Sequence, residues 1–374
     1  MSNKRVGVIG GGQLAWMMAM ATEKLDINLL IQTPHPDDPA VAIADESIFA
    51  AIDDAEATKE LARKCDIITF ENEFINLDAL KKLEASGVIF RPKLSALSPL
   101  LDKYEQRSYL QSIDLPVPKF TTLEKLSLND FNFPLVIKAR RHGYDGQGTS
   151  IINNQQELEV LASSETNSLM VEEYIEFDRE LAIMAARSTT GEIVTYPLVE
   201  TYQKEQVCHW VIAPANVSET VQLEAQKIAE KLLTELEVVG IFGIELFLTL
   251  DGNFLVNEIA PRTHNSGHYT LDACEISQFE MQLRAVINKP LGSTELNYLG
   301  AVMVNLLGYE KSHDDYQEKR NKMAQIPDSY IHWYGKTESR PGRKLGHVTV
   351  LIKDDNIKPE TIAKEIESIW YNEQ

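Results

Sequence analysis

Glu245 and Glu258 stand in one largely apolar stretch, GIELFLTLDGNFLVNE (residues 243–258), on either side of Asp251-Gly252. Asp-Gly between apolar segments is a strong signal for a two-residue hairpin loop. Leu250 then faces Asn253, and counting outward along both strands sets Glu245 opposite Glu258. Like charges directly opposite one another destabilise a sheet, and ionisation among apolar neighbours is costly. A shared divalent cation relieves both penalties, and Mg²⁺ favours one or two carboxylates together with substrate phosphates. The competing reading is an exposed sheet face on which two glutamates coexist. A second stretch points to phosphate. Lys138 closes the apolar run 133–137, and ARRHGYDGQGT (139–149) follows. Three glycines within six residues make a poor helix or strand interior. The segment is either a turn with solvated charges or a flap whose backbone N–H groups fold over phosphates. A lysine, a glycine loop and a carboxylate pair for Mg²⁺ are together what phosphoryl transfer from ATP needs. The sequence has neither GxxxxGK[ST] nor the kinase catalytic-loop pattern.

Four further groups could serve such chemistry. Gly10-Gly11-Gly12-Gln13-Leu14-Ala15 fits G-x-G-x-x-A, the form of a dinucleotide fingerprint. That fingerprint wants an acidic residue at the end of the second strand, where Gln32 stands. The turn is otherwise an anion site at a helix N-terminus, or a tight turn serving structure alone. Thr69-Phe70-Glu71-Asn72-Glu73 ends a third apolar run, and ligands of open α/β sheets bind beyond the carboxyl ends of strands. Glu71 and Glu73 suit hydroxyl or amino groups, unless the stretch is only a polar loop. RTHNSGH (262–268) carries His264 and His268 at helical spacing, but Asn265-Ser266-Gly267 opposes a helix and the zincin glutamate is missing. It reads as a polar loop able to hold a small anion, or as a hydrogen-bonded turn. Lys336, Arg340, Arg343 and Lys344 form a basic cluster in an acidic chain, either solvated or a phosphate clamp.

Two kinds of architecture must position these residues. Strands at 6–9, 27–31, 66–70 and 88–90 alternate with helices at 13–24, 55–65 and 76–86, which implies parallel βαβ units. Residues 1–101 therefore form a doubly wound, Rossmann-like α/β domain. A helix at 102–112 opens an α+β domain over 102–290. There strands come in pairs, 136–138 with 150–152 and 181–186 with 193–196, between helices at 155–161 and 219–236. A flap subdomain covers about 115–170. Ser277-Gln278-Phe279-Glu280 matches a capping box opening a helix to 288. Short strands at 301–306 and 347–352 mark a small β-rich C-terminal domain over 291–374. Composition agrees: 374 residues can bury a sizeable core, and 44% hydrophobic with 25% charged residues is ordinary for a soluble globular protein. A net charge of −20 argues against a nucleic-acid duplex as main partner. Cys65, Cys208 and Cys274 form no CxxC pattern and fit buried thiols in a reducing compartment. Lys4 and Arg5 before an apolar region resemble a secretory signal, but residues 10–13 interrupt it. No apolar run approaches the ~20 residues of a membrane span.

Taken together, GGGQL (10–14), TFENE (69–73), GYDGQG (143–148), NEIAPR (257–262) and HNSGH (264–268) resemble the ATP-grasp ligases, and within them the ATP-dependent carboxylases of bacterial purine synthesis. The resemblance covers nearly the whole chain. It implies an ATP-grasp fold and the carboxylation of 5-aminoimidazole ribonucleotide to N5-carboxyaminoimidazole ribonucleotide through carboxyphosphate, with ATP and Mg²⁺. By this resemblance Lys103 and Lys138 contact ATP phosphates, and Gly143, Tyr144, Asp145, Gly146, Gln147, Gly148 and Thr149 form the flap. Glu172, Glu173, Tyr174 and Ile175 are the adenine hinge, and Glu180 holds the ribose. Glu245 and Glu258 hold the metal, with Asn257 beside them on the nucleotide. Gln203 stands where the family usually has a histidine. Lys138 and Arg262 would neutralise the reacting groups, with His268 and Glu73 as candidates for moving the amine proton. Gly12, Gln13, Leu14, Glu71, Glu73, Asn265, Ser266, His268, Lys336, Arg343 and Lys344 would surround the ribonucleotide. A cytoplasmic homodimer acting on small molecules, without nucleic acid or membrane, is expected. Two alternatives stay open: a sister ATP-grasp enzyme that formylates glycinamide ribonucleotide, and a nicotinamide dehydrogenase resting on the N-terminal glycines.

Overall fold

Val6, Val8 and Ile9 are wholly buried because the strand Lys4–Ile9 runs inside a parallel sheet. The computed structural model describes residues 3–141, 148–164 and 168–371. The first sheet has the order Glu46–Phe49, Ile27–Thr33, Lys4–Ile9, Ile67–Phe70, all parallel, as the strand–helix alternation requires. Glu46–Phe49 is an added edge strand, only partly buried, with too short an apolar pattern to be read from sequence. The helix expected over 13–24 forms as two pieces, Gln13–Ala19 and Thr22–Leu25.

A second, four-stranded antiparallel sheet carries the flap region, in the order Phe120–Thr122, Leu169–Glu173, Leu135–Ala139, Thr149–Ile152. The third sheet is the largest, and Phe177–Arg187 shows how it is built. Leu181, Ile183 and Ala185 pack with the buried face of the helix Glu219–Glu235, while Ala182, Met184 and Ala186 pack on the other side with Tyr196, Tyr269 and Met281. This is the two-residue alternation of a strand covered on both faces. Ser277 caps the helix Gln278–Val286 by accepting the Glu280 N–H at 3.2 Å. The Glu280 carboxylate turns to Arg284 and Lys24 instead of closing the reciprocal box. The C-terminal strands Gly300–Leu307, Lys344–Ile352 and Ser329–Trp333 do not make a separate sheet; they extend this one. A helix not among the expected elements, Pro359–Tyr371, buries Ile362, Ile366 and Trp370 against them. Among the described residues no helix is long and apolar enough to cross a membrane.

The hairpin Gly240–Thr249/Phe254–Ala260 corrects one expectation while preserving its consequence. The loop is three residues, not two: the Thr249 N–H donates to the Asn253 carbonyl at 2.9 Å, so Leu250 does not face Asn253. Gly252 closes the loop at φ +82°, the left-handed residue that such a loop needs. That shifts the register by one, and Leu246 pairs with Val256. A bulge then inserts Asn257 and restores the count, so Glu245 does face Glu258.

Candidate active site

A cleft of about 590 Å³ opens beside this hairpin, bounded by the second and third sheets and, from the first domain, by the glycine turn at Gly12 and the loop at residues 71–74. That volume suits a nucleotide-sized ligand. Glu180, Glu245 and Glu258 gather on one wall with Lys103 and Lys138. Burial, then the facing charge of Glu258, then Glu180, push the Glu245 carboxyl up to about 7. Burial pushes Glu180 up to about 7 as well. Burial acts upward on Glu258 too, but Lys103, with its Nζ 2.9 Å from the carboxylate, outweighs it and holds Glu258 low. The repulsion read from sequence is thus present: one of the facing carboxylates is driven toward its neutral form. The bulge residue Asn257 donates to Glu245 and accepts from Lys138 Nζ, each at 3.3 Å. An all-oxygen group with excess negative charge fits Mg²⁺.

Lys138 lies on Leu135–Ala139, nearly buried, with Nζ 2.7 Å from Glu172. Burial lowers its pKa against the pull of that carboxylate. Glu172, expected in the adenine hinge, has its side chain buried between Lys138 and Arg107. Burial opposes its ionisation, but the two cations bring it down to about 2. Arg107 also donates to the Asn257 carbonyl, and thereby ties the bulge to the helix Lys103–Ser112. Sequence reading missed Arg107, although it follows Lys103 at i, i+4 on one helix face. The remaining hinge residues Glu173, Tyr174 and Ile175 line the cleft, as do Gln203 and Thr149. Glu173 accepts the Lys119 backbone N–H at 2.7 Å. Gly148 accepts from the Ala139 N–H at the base of the glycine loop. Gly143, Tyr144, Asp145, Gly146 and Gln147 lie outside the described residues.

At the other end of the cleft the glycine turn is bonded within the chain. The N–H groups of Gly12 and Ala15 donate to the two oxygens of Glu71, at 2.5 and 2.8 Å. A Cβ on Gly10 would collide with the Glu71 side chain. The glycines make room for the chain's own carboxylate, so these helix N-terminal donors are not open to a ligand anion or a dinucleotide. Gly12, Gln13 and Leu14 still line the cleft, together with Glu73, Arg262 and Lys344. Arg262 Nε stands 2.9 Å from Glu73, and that partner outweighs the downward effect of burial on Arg262.

The HNSGH loop is a turn of 3₁₀ helix, Asn265–Gly267, capped by His264. His264, which the sequence reading left without a separate role, lines the cleft with Nε2 3.5 Å from Glu245. Asn265 is mostly occupied by a reciprocal pair of bonds with Asn305, and Ser266 is buried with its hydroxyl on His264 Nδ1. Burial keeps His268 neutral. Gln278 accepts the His264 N–H on its oxygen and donates its amide nitrogen to the His264 carbonyl, with that nitrogen also 3.2 Å from His268 Nδ1. Neutral His268 thus has one ring nitrogen facing the Gln278 amide and none of the charge of an imidazolium. Lys336 and Arg343 are not among the cleft residues: Lys336 Nζ donates to the Lys344 carbonyl and Arg343 to that of Glu338.

Comparison with known proteins agrees with this geometry. The ribonucleotide synthetase preATP-grasp domain matches residues 3–99, the ATP-grasp domain 108–279, and the phosphoribosylaminoimidazole carboxylase C-terminal domain 301–360. The chain is 52% identical to N5-carboxyaminoimidazole ribonucleotide synthase of Synechocystis sp., over 98% of each chain. It is 40% identical to N5-carboxyaminoimidazole ribonucleotide synthetase of Thermotoga maritima, with a TM-score of 0.87 over 98% of each. It is 30% identical to the Aspergillus clavatus enzyme solved with ADP and 5-aminoimidazole ribonucleotide, with a TM-score of 0.90 over 100% of each. Fold, cleft and relatives converge: the chain belongs to the N5-carboxyaminoimidazole ribonucleotide synthase family of ATP-grasp ligases.

Proposed function

We propose that the protein uses ATP to carboxylate 5-aminoimidazole ribonucleotide with bicarbonate. One observation carries this reading: a single cleft joins a carboxylate pair and two lysines at one end to Arg262, Glu73 and Lys344 at the other. Glu245 and Glu258 would hold Mg²⁺, which when bound neutralises phosphate charge. Lys138 and Lys103 would lie along the phosphates, with Tyr174 and Ile175 at the base and Glu180 at the ribose. A bicarbonate oxygen attacks the γ-phosphorus, ADP leaves, and carboxyphosphate forms. The amine nitrogen then attacks the carboxyl carbon, and inorganic phosphate leaves with the oxygen that bicarbonate brought. Arg262 offers its charge to the carboxyl oxygens, and His268 offers an N–H. Glu73 is engaged by Arg262, so the departing amine proton would pass to neutral His268 or to the released phosphate, itself a strong acceptor.

The test is isotopic. With ¹⁸O-bicarbonate, one labelled oxygen should appear in the phosphate, and ADP release should require both bicarbonate and the aminoimidazole ribonucleotide. Unlabelled phosphate, or turnover with formate and glycinamide ribonucleotide instead, would overturn the reading. A homodimer, expected from the family, is tested by sedimentation of the purified chain.

A further inference from the structure

Outside the cleft, where the helix Thr270–Ala273 meets the C-terminal sheet, three side chains converge. Asp272, His332 and His347 each present a donor atom within 4.8 Å of the others. His332 and His347 are directly opposed across the strands Ser329–Trp333 and Lys344–Ile352, their rings stacked with centroids 4.5 Å apart and planes 16° from parallel. His332 Nε2 lies 2.9 Å from one Asp272 oxygen and 3.1 Å from the other. His347 is fully buried. Its Nδ1 is 2.8 Å from the Tyr334 hydroxyl, while its Nε2 is buried with no hydrogen-bond partner among the described residues. A buried polar atom left unmatched is costly and asks for a reason.

We propose that Asp272, His332 and His347 bind a divalent transition metal, Zn²⁺ by ligand type, which clasps the helix Thr270–Ala273 to the two C-terminal strands. Two imidazoles and a carboxylate are Zn²⁺ ligands, and they leave a fourth tetrahedral position for water. Tetrahedral donors at Zn²⁺ bond lengths lie about 3.3–3.5 Å apart, and a ligated metal lies in the plane of each imidazole, so binding requires the His332 ring to swing out of its stack on the buried His347. His347 donating Nδ1–H to Tyr334 turns the Nε2 lone pair outward for the metal, the outer hydrogen bond that ligating histidines usually make. The proton His332 shares with Asp272 leaves to solvent as the metal takes its place. His268 is not a fourth ligand through Nδ1, which Gln278 already occupies. The site differs in kind from Glu245 and Glu258: nitrogen ligands select against Mg²⁺, and an all-carboxylate pair does not select for Zn²⁺. Because Lys344 begins the strand that carries His347, the clasp would fix the strand that feeds Lys344 into the cleft.

The full chain, stripped with chelator and held in saturating Mg²⁺ and ADP, is titrated with Co²⁺. One equivalent should give intense visible bands of four-coordinate geometry; Co²⁺ on carboxylates and phosphates would be six-coordinate and weakly coloured. His332→Ala and Asp272→Asn should each lose those bands and weaken Zn²⁺ binding at least about ten- to a hundredfold. Zn²⁺ should raise the melting temperature of the wild type and not of either variant. Failure of the wild-type chain to take up Zn²⁺ at micromolar concentration overturns the proposal, whatever the variants do. So do bands that persist in both folded variants.

Discussion

Glu172 takes Arg107 on one carboxylate oxygen and Lys138 on the other, and all three side chains are nearly buried. Replacing it by Gln leaves two buried cations without their counter-charge, and losing one partner of a buried ion pair costs about 3–5 kcal/mol. The pH dependence has a definite sign. A carboxyl held at about 2 in the folded chain contributes stability that is complete above its ordinary value of 4.5 and fades as pH falls toward 2. Glu172→Gln should therefore lie well below wild type in urea unfolding at pH 7, with the gap narrowing at pH 3. A gap that does not change between those pH values would mean that Glu172 acts through packing alone. Glu245 has the opposite sign. Raised to about 7, it favours the folded chain at low pH and withdraws that contribution as pH climbs from 4.5 through 7. Glu245→Gln should melt higher than wild type at pH 8 without nucleotide, yet lose roughly 10² in kcat, on the scale of one major electrostatic contact. Glu258→Gln should lose activity similarly. Near-normal turnover of both variants at limiting Mg²⁺ would remove the metal from this pair.

The hairpin shows how local geometry delivers those carboxylates. Gly252, at φ +82°, has open space where a Cβ would stand, so Gly252→Ala meets no steric obstacle beyond the backbone itself. It should cost about 1 kcal/mol of stability, read by denaturant unfolding, and leave kcat unchanged. A fall in kcat would mean that the loop also sets the register of Glu245. The sequence pattern places both glutamates on one sheet face, but its two-residue loop is one residue short and it has no sign of the bulge at Asn257. Those two omissions cancel. At the bulge Arg107 holds the Asn257 carbonyl from 150 residues away, and no local pattern encodes such a contact. The glycine turn likewise has a remote partner. G-x-G-x-x-A predicts donors at a helix start and cannot say that Glu71, 59 residues beyond Gly12, fills them. The helix Pro359–Tyr371 is different, since Ile362, Ile366 and Trp370 form a stripe at helical spacing that is legible in the chain. The core of Phe177–Arg187 and the three inner parallel strands are legible instead as short continuous apolar runs, the mark of strands buried on both faces.

The cleft as a whole is divided along the chain. The central segment supplies Lys103, Lys138, Glu245 and Glu258 at one end; the N-terminal turn and the C-terminal strand meet at the other through Gly12, Gln13 and Lys344. The chain carries a net charge of −20, so a ribonucleotide phosphate needs a local cation. Of the basic cluster only Lys344 lines the cleft, while Lys336 braces its backbone with a 2.7 Å bond to the carbonyl. A hydrogen bond to a charged group is worth about 1.5–3 kcal/mol, so Lys344→Ala should raise the KM for the aminoimidazole ribonucleotide roughly ten- to a hundredfold. Lys336→Ala should act in the same direction more weakly, by loosening the strand start, and Arg343→Ala should change little because its guanidinium faces Glu338. ADP affinity, titrated directly without ribonucleotide, should match wild type in all three, because every lysine and carboxylate assigned to the nucleotide precedes residue 259. If Lys344→Ala weakens ADP and leaves the ribonucleotide KM in place, the two ends of the cleft exchange roles, and the C-terminal strand serves the nucleotide instead of the acceptor.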